Sequence, residues 1–136
     1  MAYFLAKTEA AVYSISDLER DSRTTWDGVR NAQALMAIRS MKPGDKVFIY
    51  HSTGESAIVG LAKVASEPRP DPKDAKLTIV DLEFVAKLDP PTTLAEVKGS
   101  ELFPDFALVR QSRLSTMAVP ETFVAWVRKR YPKSKI

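Results

Sequence analysis

The chain has 136 residues, 45% of them hydrophobic, with 20 Lys and Arg, 17 Asp and Glu, one His and no Cys. That length suits one domain, residues 1–136, with an apolar core of its own, and the lack of cysteine excludes thiol catalysis, disulfides and cysteine-ligated zinc or iron–sulfur sites. A lone histidine speaks against a His-rich metal site, and a net charge of +3 favours contact with polyanions only mildly.

The first residues lack the basic start and long apolar run of a signal peptide, and no stretch approaches the roughly 20 apolar residues that span a bilayer. A cytoplasmic protein with no membrane partner is expected. Tyr3 to Lys7 reads as a first strand, and Ser14 with Asp17 has the spacing of a capping box opening a brief helix over Ser14–Arg20. Residues 21 to 30 read as a loop. Asn31 is a good N-cap for a helix whose apolar positions Ala34, Leu35, Ile38 and Met41 recur at helical spacing before Pro43-Gly44-Asp45 ends it.

Lys46–His51 and Ala57–Ser66 are β-rich runs joined by a turn-like segment, and they predict a hairpin. Pro68, Pro70 and Pro72 break the chain, and Leu77–Leu88 follows as a long alternating strand with Val80, Leu82, Phe84 and Ala86 on one side. Thr93 with Glu96 repeats the capping-box spacing, Gly99 is a stop signal, and Arg113–Val119 can supply a last short strand. Pro120 suits the first position of a terminal helix reaching about Tyr131, with Phe123, Trp126 and Val127 inward and Arg128, Lys129 and Arg130 outward. About five or six strands with peripheral helices give an α+β domain around a small curled sheet or barrel, and the lack of an exposed apolar seam makes a monomer the default.

The segment Thr24-Thr25-Trp26-Asp27-Gly28-Val29-Arg30-Asn31 places an aromatic, a carboxylate, a glycine, a guanidinium and an amide together at a helix N-terminus. Trp26 can stack a base, Arg30 can meet phosphate or a base edge, and Asn31 can donate and accept at once. The same residues also suit a core plug, a tight turn and a cap. Tyr50, His51 and Ser52 close a strand where a barrel mouth would open, and Lys7 and Arg113 are candidate cations. The terminal basic residues Arg128, Lys129, Arg130, Lys133 and Lys135 suit either a phosphate backbone or a solvated face. With one imidazole, no G-x-S-x-G elbow and no glycine-rich phosphate loop, no catalytic set can be assembled, so a binding module rather than an enzyme is expected.

Taken in order, Tyr3-Phe4-Leu5-Ala6-Lys7-Thr8-Glu9, Tyr13-Ser14 with Asp17-Leu18, the W-D-G-V-R-N block of residues 26–31, Lys42-Pro43-Gly44-Asp45, Tyr50-His51-Ser52, Ile58-Val59-Gly60, Val80-Asp81 and Arg113-Leu114-Ser115 resemble the EVE domain family, related in fold to PUA and YTH domains. The resemblance covers nearly the whole chain. It implies a PUA-like barrel, without cofactor or metal, whose pocket takes one modified base flipped from DNA or RNA. Carried over by position, it makes Trp26 the main cage wall, sets Lys7, Ser14, Asn31, Tyr50, His51 and Ser52 around the pocket, and puts Arg30 and Arg113 near its mouth. Family members usually carry a tryptophan just before the long strand, where this chain has Asp74-Ala75-Lys76-Leu77, so a second wall must come from elsewhere or the ligand must differ. A small-ligand or protein-interaction module using the same pocket is the alternative, with a ribonuclease-like enzyme of the PUA fold behind it.

Overall fold

The computed structural model describes all 136 residues. In chain order the elements are β1 (Tyr3–Thr8), α1 (Ile15–Asp21), β2 (Arg23–Trp26), α2 (Ala32–Arg39), β3 (Lys46–His51), β4 (Ala57–Val64), β5 (Arg69–Asp71), β6 (Asp74–Thr93), α3 (Leu94–Gly99), α4 (Ala107–Arg110), β7 (Thr116–Ala118) and α5 (Glu121–Arg130). Both capping boxes form: Ser14 and Asp17 exchange side-chain and backbone hydrogen bonds at the start of α1, as Thr93 and Glu96 do at α3. The Asn31 side chain accepts from the backbone of Gln33 and Ala34, which fixes where α2 begins. No helix is long and apolar enough to cross a membrane.

The strands form a mixed sheet in the order β2-β6-β4-β3-β1-β7, with β5 paired to β6 outside that path. β1 and β3 run parallel, and the β3–β4 and β4–β6 pairs are antiparallel with register shifts at Ile49/Tyr50, Ile58/Gly60 and Leu61/Ala62. Such bulges increase twist and bend a strand, and they curl this sheet. Its two edge strands, β2 and β7, are not paired to each other. The expected closed barrel of five or six strands is therefore corrected to an open, curled sheet of seven.

Two of the added strands fall where loops were expected. β2 occupies the supposed loop of residues 21–30, pairing antiparallel with β6 from Arg23↔Glu83 to Trp26↔Val80. It is a four-residue edge strand of largely polar residues, with no apolar run to announce it. β5 sits in the proline segment and is tolerated because Pro70 lies on an edge. β6 runs on past Leu88 through Pro90 and Pro91 to Thr93. The last strand is shorter than Arg113–Val119, and a one-turn helix, α4, precedes it.

One contiguous cluster of 32 buried residues forms the core. Phe123 on α5 is fully buried and packs on Phe48 of β3, on Phe103 and on Phe106, whose ring centroid is 4.7 Å away. Trp126, expected to point inward, is half-buried beside Phe103 with Arg130 stacked over its ring at 5.1 Å.

Asp81 ties the edge strand down. Its carboxylate accepts from Thr25 Oγ1 at 2.9 Å, Arg69 at 3.0 Å and Arg23 at 3.1 Å, so two of the four residues of β2 are pinned to β6 by side chains as well as backbone. Burial opposes ionisation of Asp81, but the hydrogen bonds from Arg69, Arg23 and Thr25 outweigh it and hold the carboxyl below its usual range. Asp81→Asn, which loses the charge of these bonds, is expected to destabilise the fold by about 1–2 kcal/mol in urea titration. Because the folded carboxyl is depressed, this contribution is complete above about pH 4 and is lost as pH falls through the folded value, so the variant and the wild type should converge in acid.

Candidate functional site

The gap between the two unjoined edges holds a cavity of about 460 Å³. One wall is Thr24, Thr25 and Trp26 of β2; the other is Lys7 and Thr8 at the end of β1, with Ser115 just before β7. Val12 and Tyr13, ahead of α1, and the loop Asp27-Gly28-Val29-Arg30 complete it. Gly28 has φ +75°, a left-handed conformation that favours glycine, and it lets the chain turn from β2 into α2 around the cavity while Val29 is buried as an anchor.

Two aromatic rings, Trp26 and Tyr13, face this space from separate elements, and both are half-buried. Tyr13 is clamped: its hydroxyl donates to Asp21 Oδ2 at 2.9 Å, and Asp21 in turn accepts from Arg20 at 2.9 Å. Burial raises the Tyr13 phenol above its ordinary value, so it stays a neutral donor at physiological pH.

Lys7 donates from Nζ to the Ser112 carbonyl at 3.0 Å and stands 5.5 Å from the Tyr50 ring centroid. Burial lowers its ammonium below the usual lysine value. The Ser112 bond links the cavity to a second groove of about 300 Å³, lined by Asn31, Arg110, Gln111, Ser112, Arg113 and Leu114. Arg30 on the cavity and Arg113 on the groove have no ion pair or hydrogen bond within the chain, whereas Arg110 meets Asp105 at 3.2 Å.

Of the nine residues singled out in the sequence, Lys7, Trp26 and Arg30 line the cavity, and Asn31 and Arg113 line the adjoining groove. Ser14, Tyr50, His51 and Ser52 line neither the cavity nor the groove. Ser14 caps α1, Tyr50 is buried under Lys7, and Ser52 donates its backbone N–H to the Thr8 carbonyl at 3.0 Å. His51 Nε2 accepts the Ile15 backbone N–H at 3.1 Å and so holds the start of α1 against β3. Asp74–Leu77 begins β6 and does not line the cavity. Of the other lining residues, Thr24, Thr25, Asp27, Gly28 and Val29 belong to the recognition segment read in the sequence and Thr8, Tyr13 and Ser115 to the motif blocks that carry the resemblance, so only Val12 falls outside both. The resemblance assigns Tyr13 no pocket role, although an aromatic directly before a capping box and outside any apolar period is a signal for it.

Burial lowers the His51 imidazole below its ordinary 6.5. A neutral acceptor is what the Ile15 N–H requires, and protonation would replace it with a donor. With the folded value depressed, the stabilisation is complete above about pH 6.5 and falls away as pH drops through the folded value. As the only imidazole in the chain, His51 gives one histidine signal in proton NMR, and its midpoint should lie below 6.5. A midpoint at or above that value would contradict the hydrogen bond.

An open curled sheet of seven strands with helices around it and a cavity between its unjoined edges defines a small α+β domain of the PUA-like kind. The EVE domain model matches residues 2–130, and the chain belongs to the EVE domain family. Human thymocyte nuclear protein 1 is 36% identical over 106 residues, 64% of this chain and 47% of that protein. The chain thus spans about half the length of the curated relatives it matches. Among solved structures, a protein from Rhodopseudomonas palustris is 37% identical with a TM-score of 0.90, covering 96% of this chain and 92% of that one. The human THYN1 protein in complex with 5-methylcytosine-containing DNA is 27% identical with a TM-score of 0.87, covering 95% of this chain and 96% of that one.

Proposed function

We propose that this domain is a reader of modified bases, which binds one extruded base of a nucleic acid in the cavity between β2 and β1 and catalyses no reaction. The observation that carries the reading is the joining of that cavity, through Lys7 and Ser112, to a groove bearing unpaired Arg113. A base between Trp26 and Tyr13 would leave its sugar–phosphate at the mouth, where Arg30 and Arg113 can neutralise it. At about 460 Å³ the cavity falls within the roughly 300–1,000 Å³ usual for small-ligand sites. Tyr13 takes the place of the missing tryptophan as the second wall. The relative solved with 5-methylcytosine DNA makes that base in DNA the first ligand to try.

In this reading residues 1–136 act as one monomeric module. Ser14, His51 and Ser52 serve by holding α1, Tyr13 and β1 in place, and Asn31 by fixing the start of α2.

The test is a titration against short single- and double-stranded DNA and RNA with cytosine or 5-methylcytosine at one position, over a series of salt concentrations. Tighter binding to the methylated strand is expected, with affinity falling as salt rises. Arg113→Ala should weaken binding to all sequences alike and flatten the salt slope by about one. Absence of any salt-dependent binding would remove the nucleic-acid reading in favour of a small ligand.

A further inference from the structure

Several carboxylates of this chain are already committed to holding the fold. Asp81 holds β2, Asp45 accepts from the backbone N–H groups of Ala2 and Lys42, and Asp17 and Glu96 complete capping boxes. Asp27 differs. It lines the cavity directly after Trp26 as an exposed carboxylate, and it makes no hydrogen bond or ion pair within the chain although Arg30 is three residues on. An unpaired carboxylate in a cavity meant for part of a polyanion opposes the approach of phosphate, and covering it with a ligand strips its water at a penalty unless the ligand returns hydrogen bonds.

A carboxylate can only accept, so the ligand edge that repays it must carry N–H groups. The exocyclic amine of cytosine is such an edge. Thymine offers at the same place a carbonyl oxygen, and its single N3–H lies between two carbonyls that repel a carboxylate. We infer that Asp27 is the specificity-determining residue of the cavity, accepting from the exocyclic amine of the bound base and rejecting thymine and uracil. The assignment rests on the base-binding reading above. It adds which bases the cavity takes and which atom selects them. Trp26 and Tyr13 supply affinity without choosing among bases, because every base has a π-face; Asp27 supplies the choice.

5-Methylcytosine and thymine make the decisive pair of probes, since they share the methyl group and the ring size and differ only in the 4-substituent and the N3 proton. Single-stranded DNA carrying one or the other at one position would be titrated against wild type and Asp27→Asn. Wild type should prefer 5-methylcytosine on the order of tenfold or more. In Asp27→Asn the side-chain amide can donate to the thymine carbonyl and accept from N3–H, so the thymine strand should gain affinity and the preference should shrink to within about threefold. A gain cannot come from a misfolded variant. If wild type binds both strands equally, or Asp27→Asn leaves the preference unchanged, the assignment of Asp27 is overturned while the pocket reading stands. If neither strand binds, both are overturned.

Discussion

Trp26→Ala is expected to lower affinity for a nucleic acid carrying the bound base by about ten- to a hundredfold, while the fold persists. Stacking of one base on one aromatic face is worth about 1–3 kcal/mol by alanine substitution, which converts to that range. The effect should be close to the full value because the backbone that carries Trp26 is already fixed: its strand is paired to β6 up to Trp26↔Val80 and pinned by Asp81 through Thr25 and Arg23. Little backbone freedom is left to lose when the ligand arrives. The ring is half-buried and belongs to the margin of the core, so truncation should lower stability far less than loss of a fully buried aromatic such as Phe123. Trp126 remains in the variant as an internal fluorescence reporter of folding, in contact with Phe103 and Phe123. Trp26→Phe should recover much of the affinity. Unchanged binding by Trp26→Ala would move the ligand out of this cavity altogether.

What the sequence disclosed about this fold was local. The two capping boxes, the Asn31 cap and the β3–β4 hairpin each depend on residues a few positions apart, and each appears where the spacing put it. β2 could not be seen in that way, because its partner β6 is more than fifty residues further on and its own residues are mostly polar. The same distance explains the misjudged closure. Whether a curled sheet meets itself is decided by accumulated twist at three bulged registers, not by the number of strand-like runs.

The candidate site divides along the same line. Trp26 and Arg30 lie in one short segment with Gly28 between them, and residue chemistry was enough to single them out. Tyr13 reaches the cavity only because Asp21, His51 and Gly60 set the position of α1, and that is a tertiary arrangement. Conversely Tyr50 and His51 look like ligand-facing groups in sequence, yet β3 is interior to the sheet and their side chains serve neighbouring elements.

Gly60→Ala should destabilise the fold by about 1–3 kcal/mol, the range of core overpacking. A Cβ at Gly60 would stand 2.2 Å from Ile15 Cδ1, 2.6 Å from Ile15 Cγ1 and 3.1 Å from the Ala86 carbonyl oxygen. The first two distances force Ile15 to move, and the third prevents β4 from yielding toward β6. Ile15 has little freedom, being buried at the first position of α1 with its N–H bonded to His51. The displacement therefore passes to α1 and to Tyr13 two residues before it. Urea titration should show a lower midpoint with an unchanged slope, which marks lost stability without a changed unfolded state. A double-mutant cycle separates this clash from other causes. Ile15→Ala removes both offending atoms, so the pair of substitutions should be less destabilising than the sum of the two singles. Strict additivity would mean that Gly60 is required for some reason other than room for Ile15. Binding measured well below the unfolding midpoint then reports on Tyr13: if that ring is the second wall of the site, Gly60→Ala weakens binding of the extruded base even where the domain is fully folded, and Ile15→Ala on the same background restores part of it.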